Sequence, residues 1–149
     1  MSVNERVNLK LLGKNQEDLN IISSYLQDSI LIVQDMVFLK QNRTFIMIVN
    51  RFMWEDVDKE VFKQNKRIRC AVKFEEVIKV ESKNINQKNK NKPLECLAIK
   101  CSSIFDEIYK IKIFFAGDNI ITIISEVIDV TLHDLGKPWN VKHIPIHKI

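Results

Sequence analysis

Between Arg67 and Lys83 the chain reads R-I-R-C-A-V-K-F-E-E-V-I-K-V-E-S-K. Ile68, Cys70, Val72, Phe74, Ile78 and Val80 hold the even positions, and Arg67, Arg69, Lys73, Glu75, Lys79, Glu81 and Lys83 hold most of the odd ones. That is the period of a half-buried strand, with one face to a core and the other to water. Straight, the stretch would reach roughly 56 Å, far beyond a usual strand. Glu76 puts a charge into the apolar row, so the pattern predicts a bend or bulge at Glu75-Glu76, as one long bent strand or two in succession.

The rest of the chain changes period at its few glycines and prolines. Val7–Leu12 reads as a short first strand ended by Gly13. Asn15 followed by Asp18 is an N-cap pattern, and Leu19, Ile22 and Leu26 recur at helical spacing, predicting a helix over Gln16–Gln27. Ser29–Lys40 is too apolar and β-branched for a solvated helix; Gln34-Asp35 interrupts it as a kink or tight turn does, predicting one strand or two. Thr44–Phe52 is apolar on both faces until Asn50 and Arg51, predicting a strand buried on both sides with its polar end at the rim. Trp54–Lys66 carries acids early and lysines late, which fits a short surface helix.

Residues 84–93, polar and closed by Pro93, have the composition of a mobile loop. Leu94–Ser102 and Ile108–Phe115 alternate as strands, and Gly117-Asp118 reads as the tip of a type II′ hairpin leading into Asn119–Ile124. From Glu126 the spacing of Ile128, Leu132 and Leu135 becomes helical, with Gly136 and Pro138 as a stop, which predicts a C-terminal helix. Its β-branched content alone would also allow a strand. Residues 140–149 are expected as an extended tail.

Strands in succession between two helices make the fold α+β, with a largely antiparallel sheet of about seven to eight strands. A pleckstrin-homology-like partly open barrel has that count; a single curved sheet with two helices on one face is the alternative. At 149 residues and 46% hydrophobic, residues 1–149 suit a single domain. No apolar run approaches the roughly 18 residues of a membrane span. The odd number of cysteines, Cys70, Cys96 and Cys101, lacks paired spacing, which suits small buried hydrophobes in a reducing, cytoplasmic setting. The net charge of +4 is mild and permits an anionic partner without demanding one.

Chemistry is sparse. Asn50, Arg51, Trp54 and Glu55 cluster where a buried strand should emerge. Arg51 and Glu55 can pair there as strand-end anchors, or Arg51 can hold an anionic group bidentately while Trp54 stacks. With no His, Cys or Ser nearby in sequence, no catalytic residue is assigned. His143 and His147 flank Pro145, which opposes the helix that would bring them together, so no metal ligands are assigned. Three glycines cannot build a phosphate-cradling loop, and no cofactor is implied. Arg67, Arg69, Lys73, Lys79 and Lys83 could form a basic strand face, extended by the loop lysines, although Glu75 and Glu81 share it.

Leu26-Gln27-Asp28, Asn50-Arg51-Phe52-Met53-Trp54-Glu55 and Asp134-Leu135-Gly136-Lys137-Pro138-Trp139, in that order and spacing, resemble a small alphaproteobacterial family known as domain of unknown function 2948. The resemblance covers Leu9 to Trp139. It implies a bacterial cytoplasmic protein, and the family's alanine-rich members favour a helix at Glu126–Leu135. It brings no catalytic or binding residue. The function expected is a non-catalytic binding or interaction module with a protein partner. The second expectation is an anion or nucleic-acid binder using the basic strand face and the Lys/Asn-rich loop.

Overall fold

The charged pair Glu75-Glu76 divides the central stretch into two strands in the computed structural model, which describes residues 8–56, 65–105 and 107–145. β5 (Lys66–Phe74) precedes the break and β6 (Val77–Lys83) follows it; Glu76 takes the left-handed conformation, φ 55°. The corner reverses the parity locally, at Val77 and Ile78, and the register shift between Val77 and Lys79 restores it, so that Val80 packs on the core. Ile68, Cys70, Val72 and Phe74 are buried before it; after it Val77 is buried and Ile78, expected on the core face, is 46% exposed.

The remaining elements are β1 (Lys10–Gly13), α1 (Gln16–Leu26), β2 (Ile30–Ile32), β3 (Met36–Leu39), β4 (Thr44–Phe52), β7 (Pro93–Phe105), β8 (Ile108–Phe115), β9 (Asn119–Ser125) and β10 (Val130–Asn140). They form one antiparallel sheet in the order β1-β10-β5-β4-β2-β7-β8-β9-β6, with β3 paired to β4 off this path. β5 and β6, two residues apart in the chain, therefore lie far apart in that order. Residues 126–129, between β9 and β10, make the matching corner: the Glu75 N–H donates to the Asp129 carbonyl at 2.9 Å and the Glu126 N–H to the Glu76 carbonyl at 3.1 Å. The two bends divide the sheet into halves that share one core. Phe45, Met47, Cys70, Val72 and Phe74 meet Ile99, Ile111, Ile113, Phe115, Ile121 and Ile123 in it, with Leu19, Ile22 and Leu26 of α1. Each such fully buried apolar side chain stabilises by about 1.5–3 kcal/mol relative to exposure.

α1 starts where its cap predicts: the Asn15 side chain accepts from the Asp18 N–H at 2.8 Å, a contribution of about 1 kcal/mol. Gln34-Asp35 falls in a 3-10 turn between β2 and β3. β4 keeps its expected bounds but buries one face; Ile46, Ile48 and Asn50 on the other are half-buried. Gly117 and Asp118 both take positive φ, 81° and 63°, which is the type I′ pattern; type II′ requires it only at the first. Of the surface helix expected over Trp54–Lys66, Trp54–Asp56 form a 3-10 turn, and 57–64 lie outside the described residues.

The α+β expectation is overturned. The fold is mostly β: ten strands in an open sheet and one α-helix among the described residues, in place of seven or eight strands with two helices, and the barrel reading goes with it. The C-terminal helix is β10, hydrogen-bonded to β1 on one side and β5 on the other. Val130, Leu132 and Asp134 are buried and alternate with Thr131 and His133. The apolar spacing satisfied both periods, and two neighbouring strands with unmet backbone groups decide for the sheet. Gly136, with φ 71°, and Pro138 fall in a bulge where the register with β5 jumps from Leu135 to Trp139. A proline in a strand is tolerated at such a place because no ladder bond is needed there.

Candidate functional site

β4, β5 and β10 lie side by side, and on their core faces the outer two carry Arg51 and Asp134. Both are fully buried. Arg51 Nε donates to Asp134 Oδ1 at 2.8 Å and Nη2 to Oδ2 at 2.7 Å. On its other edge Nη1 donates to Glu55 Oε1 at 2.9 Å and Nη2 to Oε2 at 2.6 Å. Both bidentate edges of the guanidinium are thus taken by carboxylates of the chain itself, and four of five N–H donors are used. Tyr25 of α1 lies with its ring centroid 5.5 Å from the guanidinium carbon. Burial alone would lower the Arg51 pKa, but the hydrogen bonds and charges of Asp134 and Glu55 more than offset it, so the net shift is upward.

Trp54 turns its indole N–H to the Gln27 carbonyl at 2.7 Å and packs on Phe52, with ring centroids 4.6 Å apart. Asn50 offers its backbone carbonyl to Arg67 Nη1 at 3.0 Å, and the same nitrogen donates to the Asp28 carbonyl at 3.0 Å. Leu26–Asp28, Asn50–Glu55 and Asp134 are distant in sequence and meet in this one cluster. The Arg51–Glu55 spacing is readable in the sequence as an i,i+4 pair; Asp134 is not, because the segment that carries it has helical spacing.

The expected basic face is divided by the corner. Arg67, Arg69 and Lys73 stay on β5, where Arg67 is drawn down onto the Phe52 ring, Arg69 lies 3.9 Å from Asp35, and Lys73 pairs with Glu75 at 3.0 Å. Lys79 and Lys83 go with β6 to the other half. There the outward residues of four adjacent strands fall in rows: Lys100 of β7 opposite Lys112 of β8, Thr122 of β9 and Glu81 of β6, then Ser102, Lys110, Ile124 and Lys79. A third row holds Ala98, Phe114, Ile120 and Lys83. Lys100, Lys110 and Lys112 were not singled out in sequence; their signal is the outward phase of alternating strands, which needs the cross-strand register to become a patch.

The polar loop after β6 is tied at several points. Ile85 is buried, the Gln34 N–H donates to the Lys90 carbonyl at 3.1 Å, and Asn84 Nδ2 donates to the Asp118 carbonyl at 3.0 Å. An open cleft of about 600 Å³ lies beside it, lined by Ile30, Pro93, Glu95, Gly117 and Asn119 among others. Among the described residues no group of three His, Cys, Asp or Glu could hold a metal ion, and His147 lies outside them. No helix among the described residues is long and apolar enough to cross a membrane. Burial pushes the thiols of Cys70 and Cys96 up to about 12, away from nucleophilic chemistry at neutral pH.

A family model described as "Protein of unknown function (DUF2948)" matches residues 9–147. No curated protein and no solved structure matches the chain.

Proposed function

The chain belongs to the DUF2948 family, whose description assigns no activity, and from its geometry we propose that it is a non-catalytic binding module acting through the outer faces of its sheet. One observation carries this reading: Arg51 gives four of its five N–H donors to Asp134 and Glu55 of the chain itself and has its guanidinium fully buried. Such a group holds strands together; a substrate would have to displace a bidentate carboxylate to reach it. Among the described residues the fold leaves two broad sheet faces open. The face of β1, β10, β5, β4 and β3 mixes Leu12, Ile46 and Val37 with Lys10, Arg69 and Lys73, whereas that of β6, β9, β8 and β7 is rich in lysine.

We place the module in the cytoplasm, a setting that suits three free cysteines. The protein-partner expectation and the anion-binding one now differ by face, the first suiting the side where apolar and charged residues mix and the second the lysine-rich side. The charge map supports the second more strongly, because direct opposition of like charges costs stability unless a partner relieves it. Affinity capture from cell extract with the wild-type chain and with charge-reversed variants of each face tests the reading. A macromolecule retained by wild type and lost with one face supports it. Turnover of a small molecule that is abolished by a folded Glu55→Gln variant would refute it.

A further inference from the structure

We propose that the outer face of β6, β9, β8 and β7 binds single-stranded nucleic acid, through its lysines to phosphates and through Phe114 to a base. The inference rests on the binding-module reading and names its ligand. Five lysines, Lys79, Lys83, Lys100, Lys110 and Lys112, stand on this face against one carboxylate, Glu81. That excess equals the formal charge of the entire chain, +4, so elsewhere basic and acidic residues balance and the charge is concentrated here. Glu81 is already claimed: Lys79 Nζ lies 2.8 Å from it, and Lys110 also lowers its pKa.

Lys100 and Lys112 sit directly opposite each other across β7 and β8, with no carboxylate between them in the row. Like charges at such a position destabilise a sheet, and an anionic ligand removes the penalty. Phe114 and Ile120 occupy the next row, and the Lys100 ammonium lies 5.8 Å from the Phe114 ring centroid. An aromatic ring half-buried among lysines is the combination that holds a base by stacking while phosphates are neutralised nearby. Asn84 Nδ2 donates to the Asp118 carbonyl at the hairpin tip, which ties the segment after Lys83 to the Phe114 end of the face.

Four strands make a face roughly 14 Å across, with rows roughly 7 Å apart. It is a bare sheet face among the described residues, whose one helix packs its apolar side into the core. A duplex is read by an element that projects into a groove, whereas unstacked bases can lie along a sheet face, so the ligand is a single strand.

The test is fluorescence anisotropy with a labelled oligouridylate and with a duplex of the same length. Wild type should prefer the single strand. With three to five phosphate contacts its affinity should fall roughly ten- to a hundred-fold between about 50 and 200 mM salt. Lys112→Glu should weaken binding at least tenfold and flatten the salt dependence without lowering Tm, because it places an acid opposite Lys100. Phe114→Leu should weaken binding about fivefold or more with the salt slope unchanged. Any of these results would overturn the proposal: no binding at low salt, a duplex bound as tightly as the single strand, or either variant binding like wild type. If wild type instead binds only anionic vesicles or an acidic protein through these lysines, the nucleic-acid inference falls and the binding module stands. If no macromolecule is bound and none is captured from extract, both fall.

Discussion

Arg51 and Asp134 are 83 residues apart in sequence and meet above the strand that separates them, in two hydrogen bonds of 2.8 and 2.7 Å. β5 runs between their strands and contributes Ile68 and Cys70 beneath the pair, Ile68 opposite Arg51 and Cys70 opposite Asp134. The ion pair therefore staples three strands from across a strand width, at the end of the core that α1 covers with Tyr25.

Removing one partner leaves the other charge buried. Asp134→Ala should cost about 3–5 kcal/mol, because the guanidinium keeps only its Glu55 edge. Arg51→Met combined with Asp134→Leu should recover most of that loss, since a well-packed apolar replacement of a buried pair is often neutral or better. Urea midpoints measure both. An Asp134→Ala protein as stable as wild type would show that the pair does not hold the strands.

The buried thiols predict how stability falls in alkali. An unfolded thiol titrates near 8.5, and burial holds Cys70 and Cys96 up to about 12. The folded state thus binds more protons than the unfolded one in between. Its advantage is complete below about pH 8.5 and is lost as pH rises toward about 12. Cys96→Ala should flatten the alkaline decline of Tm relative to wild type; parallel curves would argue against it. In the native state a disulfide reagent should label the half-exposed Cys101 first, and Cys70 and Cys96 only on unfolding.

What the sequence made legible was local. Asn15, Asp18 and the Leu19, Ile22, Leu26 spacing define α1 because cap and periodicity act within one helix, and Glu75-Glu76 marks the corner because a charge cannot continue an apolar row. β10 was misread because Ile128, Leu132 and Leu135 fit a helix while Val130, Leu132 and Asp134 fit a strand. The choice is made by β1 and β5, which are distant in the chain. The same non-locality hid Asp134 from Arg51. It also hid the basic face, whose Lys100 and Lys112 become neighbours only through cross-strand register.

Adjacent positions on β5 should respond very unequally to the same substitution. Val72 is fully buried, so Val72→Asp places an unpaired carboxylate in the core and should cost more than about 4 kcal/mol, enough to abolish cooperative folding. Lys73 is half-exposed in an ion pair with Glu75, and Lys73→Asp should cost about 1 kcal/mol or less. Thermal melts of the two variants check the assignment of faces, and equal losses would contradict it.

The bulge in β10 predicts a graded response at Gly136. Its φ of 71° lies in the left-handed region, and a Cβ built there meets nothing within 4 Å, so only the backbone resists substitution. Gly136→Ala should therefore cost about 1–2 kcal/mol, the penalty of an ordinary side chain in that conformation. Gly136→Asn should cost less, because asparagine tolerates the left-handed region through its own local hydrogen bonds. The order glycine, asparagine, alanine in urea midpoints is expected. Equal losses for both variants would mean that crowding, rather than φ, governs the site, and that the chain turns through the bulge by a different path.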